Sequence, residues 1–214
     1  MNNIIITEEM LSPLRESIKC KLSAFRLAHT LGVEEMAARI AKIYCPEKES
    51  LLRAAALLHD LTKELSPSVQ KELFKKHGEI MSEEIENAPP TQHAITAALE
   101  IPERYPEFAD PELIGAVRYH TTGKADMSLS EKIIYLSDYI DFTRTYSDSM
   151  ALRDMFWSAQ PENMDKESRE AHLDSVVERS LELTIADLKE NSRPISPETA
   201  EAIEWLKNNR KGSK

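Results

Sequence analysis

The chain has 214 residues, of which 41% are apolar, with a formal net charge of −10 and only 5 Gly and 2 Cys. This is enough for one sizeable domain with a buried core. No Lys/Arg block exceeds two residues, which leaves no basic face for polymeric nucleic acid. No apolar run approaches the roughly 20 residues that span a bilayer. The segment Met1–Ile6 lacks the basic region and long apolar stretch of a signal peptide. Cys20 and Cys45 form no CxxC pair, so neither a disulfide framework nor a zinc ribbon is expected. The expectation is a cytoplasmic protein with no membrane partner. A small anionic substrate remains open, provided that a bound metal or a few aimed Lys/Arg reverse the field locally.

Leu, Ala, Glu, Lys, Ile and Arg dominate, which predicts an all-α protein. From Val33 to Tyr44 the apolar residues follow the i, i+3, i+4, i+7 rhythm of a one-faced helix, and Cys45-Pro46 stops it. Leu51 to Leu61 is apolar nearly all round, as for a central buried helix. Ser66-Pro67 starts the next helix and His77-Gly78 ends it. Pro89-Pro90-Thr91 precedes a helix to about Glu100, and Asp110-Pro111-Glu112 opens one carrying Leu113, Ile114, Val117 and His120. Ser128-Leu-Ser-Glu131 has capping-box spacing and opens a helix through Ile140. After Thr143 the chain turns polar to Asp165. A long amphipathic helix is predicted from about Ser168 to Glu190, and a last one from Ser196-Pro197-Glu198 to about Asn208, with Lys211–Lys214 as a frayed tail. We divide the chain into a core over residues 1–145 and a helical extension over 146–214 that packs on it.

Leu57-Leu58-His59-Asp60 sets an imidazole and a carboxylate side by side at the end of the most apolar helix. A charge buried there needs a partner or a metal. A lone His-Asp dipeptide reads as readily as a core histidine followed by a loop. Three further histidines have similar settings, His29, His93 and His120, and Asp138 interrupts the apolar run Ile133–Ile140. Mixed imidazole and carboxylate sets suit Fe, Mn, Co and Zn, and helical bundles hold two metals by converging such ligands.

The order His…His-Asp…His…His…Asp resembles the HD-domain phosphohydrolase superfamily, in its variant with two extra histidines and two metals, over about Ser23 to Arg144. Three stretches look like the YqeK family of bacterial symmetrical diadenosine tetraphosphatases: Leu57-Leu-His-Asp-Leu-Thr-Lys-Glu64, Arg118-Tyr-His-Thr-Thr-Gly123 and Glu131-Lys-Ile-Ile-Tyr-Leu-Ser-Asp-Tyr-Ile140. The His-Asp pair alone is weak evidence; His-Thr-Thr-Gly followed fifteen residues after Gly123 by Asp138-Tyr-Ile is much more specific.

The resemblance implies an HD-domain helical bundle with additional C-terminal helices. It implies a first metal on His29, His59, Asp60 and Asp138, and a second on Asp60, His93 and His120. Iron is the metal the family suggests, with Mn or Co as substitutes. A metal-bridged hydroxide would attack a phosphoryl group, and the implied reaction cleaves diadenosine tetraphosphate to two ADP. Asp60 and Lys63 are the candidate catalytic residues. Lys63, Thr122, Gly123, Arg26 and Arg144 are the candidate phosphate contacts, although each reads equally as an ordinary turn or surface residue. The sequence departs from the family at Asp141-Phe142-Thr143-Arg144, which lacks the usual proline, and at Lys124, where many relatives have Arg. The part beyond about Asn191 exceeds the compact family pattern. A homodimer is compatible with the resemblance. Two alternatives stand beside this reading: an HD phosphohydrolase acting on another nucleotide or phosphoester, and a non-catalytic HD scaffold.

Other features read as structural. His77 precedes a helix-ending glycine, where a cation meets the helix dipole. His172 has no carboxylate pattern around it. Met155-Phe156-Trp157 reads as an apolar anchor, Cys20 and Cys45 as buried or half-buried thiols, and Ser128 and Ser130 as helix caps.

Overall fold

A computed structural model describes residues 4–212, with side chains described as far as Asn209. Among these residues there are eleven α-helices and no strands. The first helix, α1 (Glu8–Lys19), did not stand out in the sequence because Pro13 interrupts its pattern, yet Leu11, Leu14 and Ile18 form its buried stripe. Helix α2 (Ala24–Tyr44) starts nine residues before the periodic stretch at Val33, with the Ser23 hydroxyl accepting from Arg26 N. That extension carries His29.

Helix α3 (Glu49–Leu58) is shorter than the apolar run predicts. His59 is its C-cap residue, and Asp60 to Lys63 continue as tight turns whose backbone bonds span three residues. The switch from helix to turn brings both His59 and Asp60 inward. Helix α3 packs on α1, α2, and the later α7 (Pro111–Arg118) and α8 (Leu129–Ile140), and Leu52 and Ala54 to Leu58 are buried. It is the central helix of the bundle, as its all-round apolarity requires.

Helix α4 (Pro67–Lys76) begins and ends as predicted, with Gly78 at φ +65°. A short α5 (Glu83–Asn87) leads into α6 (Pro89–Arg104). The two prolines lie inside the first turn of α6 rather than before it, because first-turn N–H groups have no helical acceptor. The same helix runs past the expected end at Glu100 and through Pro102 to Arg104. Helix α7 stops at Arg118, so His120 lies in the turn beyond it and not on the helix. The capping box of α8 is present, Ser128 N donating to Glu131 Oε2 at 2.6 Å. Ser130, however, is no cap: it is buried and donates to Glu112.

The polar stretch after Thr143 forms a helix, α9 (Ser147–Ser158), pinned by buried Leu152 and Phe156. Met155 faces solvent, and Phe156 stacks on His172, whose Nε2 lies 3.1 Å from the Phe156 carbonyl. Helix α10 (Lys166–Glu190) and helix α11 (Pro197–Gly212) complete the chain. The last helix passes the expected end near Asn208; Ser213 and Lys214 of the expected tail lie outside the described residues. Leu173, Val176, Val177, Leu181, Ala202 and Leu206 join the same hydrophobic core as α2, α3 and α8. Cys45 is buried, but Cys20 is exposed, contrary to the sequence expectation.

Candidate metal centre

Five segments deliver six side chains to one point in the bundle. His29 comes from α2, His59 and Asp60 from the end of α3, His93 from α6, His120 from the turn after α7, and Asp138 from α8. The four histidines and Asp60 are buried, and Asp138 is half-buried.

The two oxygens of Asp60 face different partners. Oδ2 lies 3.3 Å from His59 Nε2 and 3.7 Å from His29 Nε2, and the Oδ1 of Asp138 is 3.0 Å from that same His29 nitrogen. Oδ1 of Asp60 lies 3.0 Å from His93 Nε2 and 3.8 Å from His120 Nε2, and these two nitrogens are 3.0 Å apart. One carboxylate therefore joins two nitrogen-rich clusters.

The remaining ring nitrogens fix the tautomers. His59 Nδ1 sits 2.6 Å from the Ala56 carbonyl and His120 Nδ1 2.7 Å from the Val117 carbonyl. Each Nδ1–H donates there, so each Nε2 presents a bare lone pair to the cluster. Nε2 of His29 and of His59 are buried with no hydrogen-bond partner among the described residues. The Nε2 lone pairs of His59 and His120 face the Asp60 carboxylate oxygens at 3.3 and 3.8 Å, an arrangement that repels unless a cation sits among them. The residues present thus fit divalent metal ions, with His29, His59 and Asp138 within reach of one ion and Asp60 spanning to His93 and His120.

Titration reflects the same crowding. Burial disfavours the His29 cation, but the neighbouring Asp138 and Asp141 carboxylates outweigh it and push the imidazole up to about 9. Burial, reinforced by the neighbouring His59, holds His120 well below the ordinary histidine range; burial also lowers His93, with Asp60 opposing. Burial opposes ionisation of Asp60 and Asp138, yet His59 and His93 hold the first, and Arg144 and His29 the second, well below the carboxylate range.

Arg26 and Arg144 are not surface residues. Arg26 Nη1 donates to Asp60 Oδ2 at 2.6 Å, and Arg144 donates through Nη2 to Asp138 Oδ1 at 2.6 Å and through Nε to the Asp138 carbonyl at 2.8 Å. Lys63 Nζ lies 3.3 Å from His93 Nδ1, and burial lowers its pKa against the pull of Asp60 and Asp138. Thr122 and Gly123 are not brought into the cluster. The Thr122 hydroxyl donates to Glu198 on α11 at 2.8 Å, its carbonyl accepts from Thr199, and Gly123 N–H is taken by the Tyr119 carbonyl. Gly123 is glycine for its φ of +64° and for the Ala202 Cβ that a side chain would meet at 3.3 Å.

The residue that does face the cluster is Thr121, with Oγ1 at 3.1 Å from His120 Nε2. Sequence reasoning also passed over Asp141. Its carboxylate is fully buried, lies 3.3 Å from His29 Nδ1, and is held by Thr143 N at 2.8 Å. A carboxylate behind a metal-facing histidine fixes the ring and raises its basicity. Gly32 leaves room for it, since a Cβ there would come within 2.7 Å of Asp141 Oδ1. Gly32 stands one turn after His29 on the same helix, which was the available sequence signal.

The HD domain family model matches residues 26–143. The symmetrical bis(5'-nucleosyl)-tetraphosphatase of Bacillus subtilis is 25% identical over 88% of this chain and 93% of its own length. The enzyme of that name from Halalkalibacterium halodurans is 28% identical over 85% and 89% of the two chains. Its counterpart from Staphylococcus aureus is 30% identical over 65% and 71%. A solved structure from Clostridium acetobutylicum, described as a predicted HD superfamily hydrolase involved in NAD metabolism, superposes with a TM-score of 0.80 at 26% identity, over 93% of this chain and 97% of that one. The family match over residues 26–143, with these similarities, shows that the chain belongs to the HD-domain family and is an HD hydrolase.

Proposed function

We propose that the chain hydrolyses diadenosine tetraphosphate symmetrically to two ADP with two divalent metal ions. Iron is the first metal to test, and manganese and cobalt are substitutes. The observation that carries this reading is the split of Asp60, one oxygen toward His29 and His59 and the other toward His93 and His120. The names of the three tetraphosphatase relatives supply the substrate class. When bound, the ions supply an activated water and neutralise charge on the phosphoryl group.

The side chains around them do the positioning. Asp60 would hold both ions and Asp138 the one at the His29/His59 end, while Asp141 holds the His29 ring. Lys63, Arg26 and Arg144 ring the cluster with positive charge in a protein of net charge −10 and meet the substrate phosphates, with the Thr121 hydroxyl beside them. The C-terminal extension from residue 146 packs on the HD core through α10 against α8.

The test is incubation of the purified protein with diadenosine tetraphosphate and Fe, Mn or Co, followed by anion-exchange separation. ADP as the only product, abolished by chelator, supports the reading. ATP plus AMP keeps the hydrolase and overturns the cleavage position. No turnover, with normal rates on a mononucleotide or a simple phosphoester, moves the substrate to another nucleotide.

A further inference from the structure

Two cavities lie between the HD core and the C-terminal extension, each lined by one residue that contacts the His/Asp cluster. The first, about 310 Å³, is lined by Pro89, Pro90, Thr121, Leu188 and Pro194. Its Thr121 is the residue whose hydroxyl lies 3.1 Å from His120 Nε2, so it adjoins the His93/His120 end of the cluster through that residue. The second, about 690 Å³, is lined by Tyr139, Arg144, Tyr146 and Leu183. Its Arg144 donates to Asp138, so it adjoins the His29/Asp138 end through that residue. Thr184, Asp187 and Arg193 belong to both cavities and form the ridge between them.

The ridge is a built feature. Helix α10 ends in a hydrogen-bonded turn in which Ser192 adopts φ +52°, Ser192 N–H donates to the Lys189 carbonyl at 3.1 Å and Arg193 N–H to the Leu188 carbonyl at 2.8 Å. That turn folds Arg193 back to pair with Asp187 and sets Pro194 against the first cavity. Tyr146 stands at the second cavity with 71% of its surface exposed.

We propose that these two cavities receive the two nucleoside ends of a dinucleoside polyphosphate, whose phosphate chain crosses the metal cluster between Thr121 and Arg144. The inference rests on the substrate reading given above. Each cavity exceeds a nucleobase in size; the first is mostly apolar, and the second sets Tyr139, Tyr146 and Leu183 among the charged Arg144, Asp148, Asp187 and Arg193, which gives a base a stacking face with polar partners beside it. A base stacks on Tyr146 at one end and slots against Pro89, Pro90 and Leu188 at the other. Arg193, between them, is placed to meet ribose or phosphate. The region after residue 146 thereby becomes part of the substrate site, and it sets the preference for nucleotides over bare polyphosphate.

Binding tests this without turnover. The full-length, Mn-loaded protein is titrated calorimetrically with ADP and, separately, with inorganic pyrophosphate. The unsubstituted protein is expected to prefer ADP. Leu188→Asp and Tyr146→Ala are each expected to lower ADP affinity, and the double variant to lower it about tenfold or more, the size of losing base stacking, with pyrophosphate affinity unchanged. Leu188 is half-buried and Tyr146 exposed, so both variants are expected to fold, which a melting curve verifies. No preference for ADP in the unsubstituted protein, or a preference that the double variant retains, overturns the two-cavity assignment. A preference lost in the variants supports it even if diadenosine tetraphosphate is not cleaved, so the two readings fail separately.

Discussion

The isosteric change Asp60→Asn removes the one charge that joins both halves of the cluster. With metal bound, each half loses an anionic ligand oxygen while its imidazoles stay in place. A metal present at 100 times its dissociation constant stabilises a fold by about 2.7 kcal/mol, and 1 kcal/mol shifts the melting temperature of a chain this size by about 2–4 °C. Two ions are therefore expected to raise the unsubstituted protein's melting temperature by roughly 10–20 °C. The Asn variant is expected to lose at least half of that rise. Without metal it also starts lower, by about 3 kcal/mol, because Arg26, His29 and Lys63 remain around the site without the carboxylate that Arg26 contacts at 2.6 Å. The assay is scanning calorimetry with and without Mn, paired with metal analysis after gel filtration. An Asn variant that still binds two ions per chain with the full melting shift would refute the bridging role.

Asp141→Asn is expected to weaken metal binding about 10–100-fold, measured by competition with a chelating dye. Gly32→Ala should reproduce part of that loss, since its methyl group displaces the same carboxylate; unchanged affinity in both variants would remove Asp141 from the site. Glu198→Ala severs the contacts of α11 with Arg118 at 2.9 Å and Thr122 at 2.8 Å. A loss of about 1–2 kcal/mol in urea unfolding is expected, with metal content intact. Glu100 is fully buried against His77, Lys76 and Arg104. Burial raises its pKa, but the hydrogen bond from His77 and the Lys76 and Arg104 cations overcome this and leave it lowered. Because the folded value is the lower one, this stability is present above the unfolded pKa and is lost as pH falls through the folded value. Glu100→Gln should therefore be less stable than the parent at neutral pH and show a flatter decline below about pH 5; parallel curves would argue that Glu100 contributes nothing to the acid limb.

Much of this protein was legible in its sequence. The apolar rhythm and the Ser-Pro, Asp-Pro and capping-box signals located α4, α7, α8, α10 and α11 to within a few residues, because such signals act within a single turn of chain. The six residues that converge stand out in the sequence as His and Asp set in or at the ends of apolar helices, where burial is costly without a partner, and the resemblance to the HD family joins them into one site. The tertiary structure decided what local pattern cannot express. Adjacent residues in a turn point in different directions, so only packing determined that Thr121 faces the cluster while Thr122 turns to Glu198. The burial of Asp141 behind His29 depends on the space left by Gly32 on another helix. Four other segments distant in sequence converge at Asp60 because α3 is buried among α1, α2, α7 and α8, and the packing of α10 sets Asp187 and Leu188 around one cavity with Thr121. Periodicity reports which face of an element is buried; which faces meet is fixed by the joint packing of all of them.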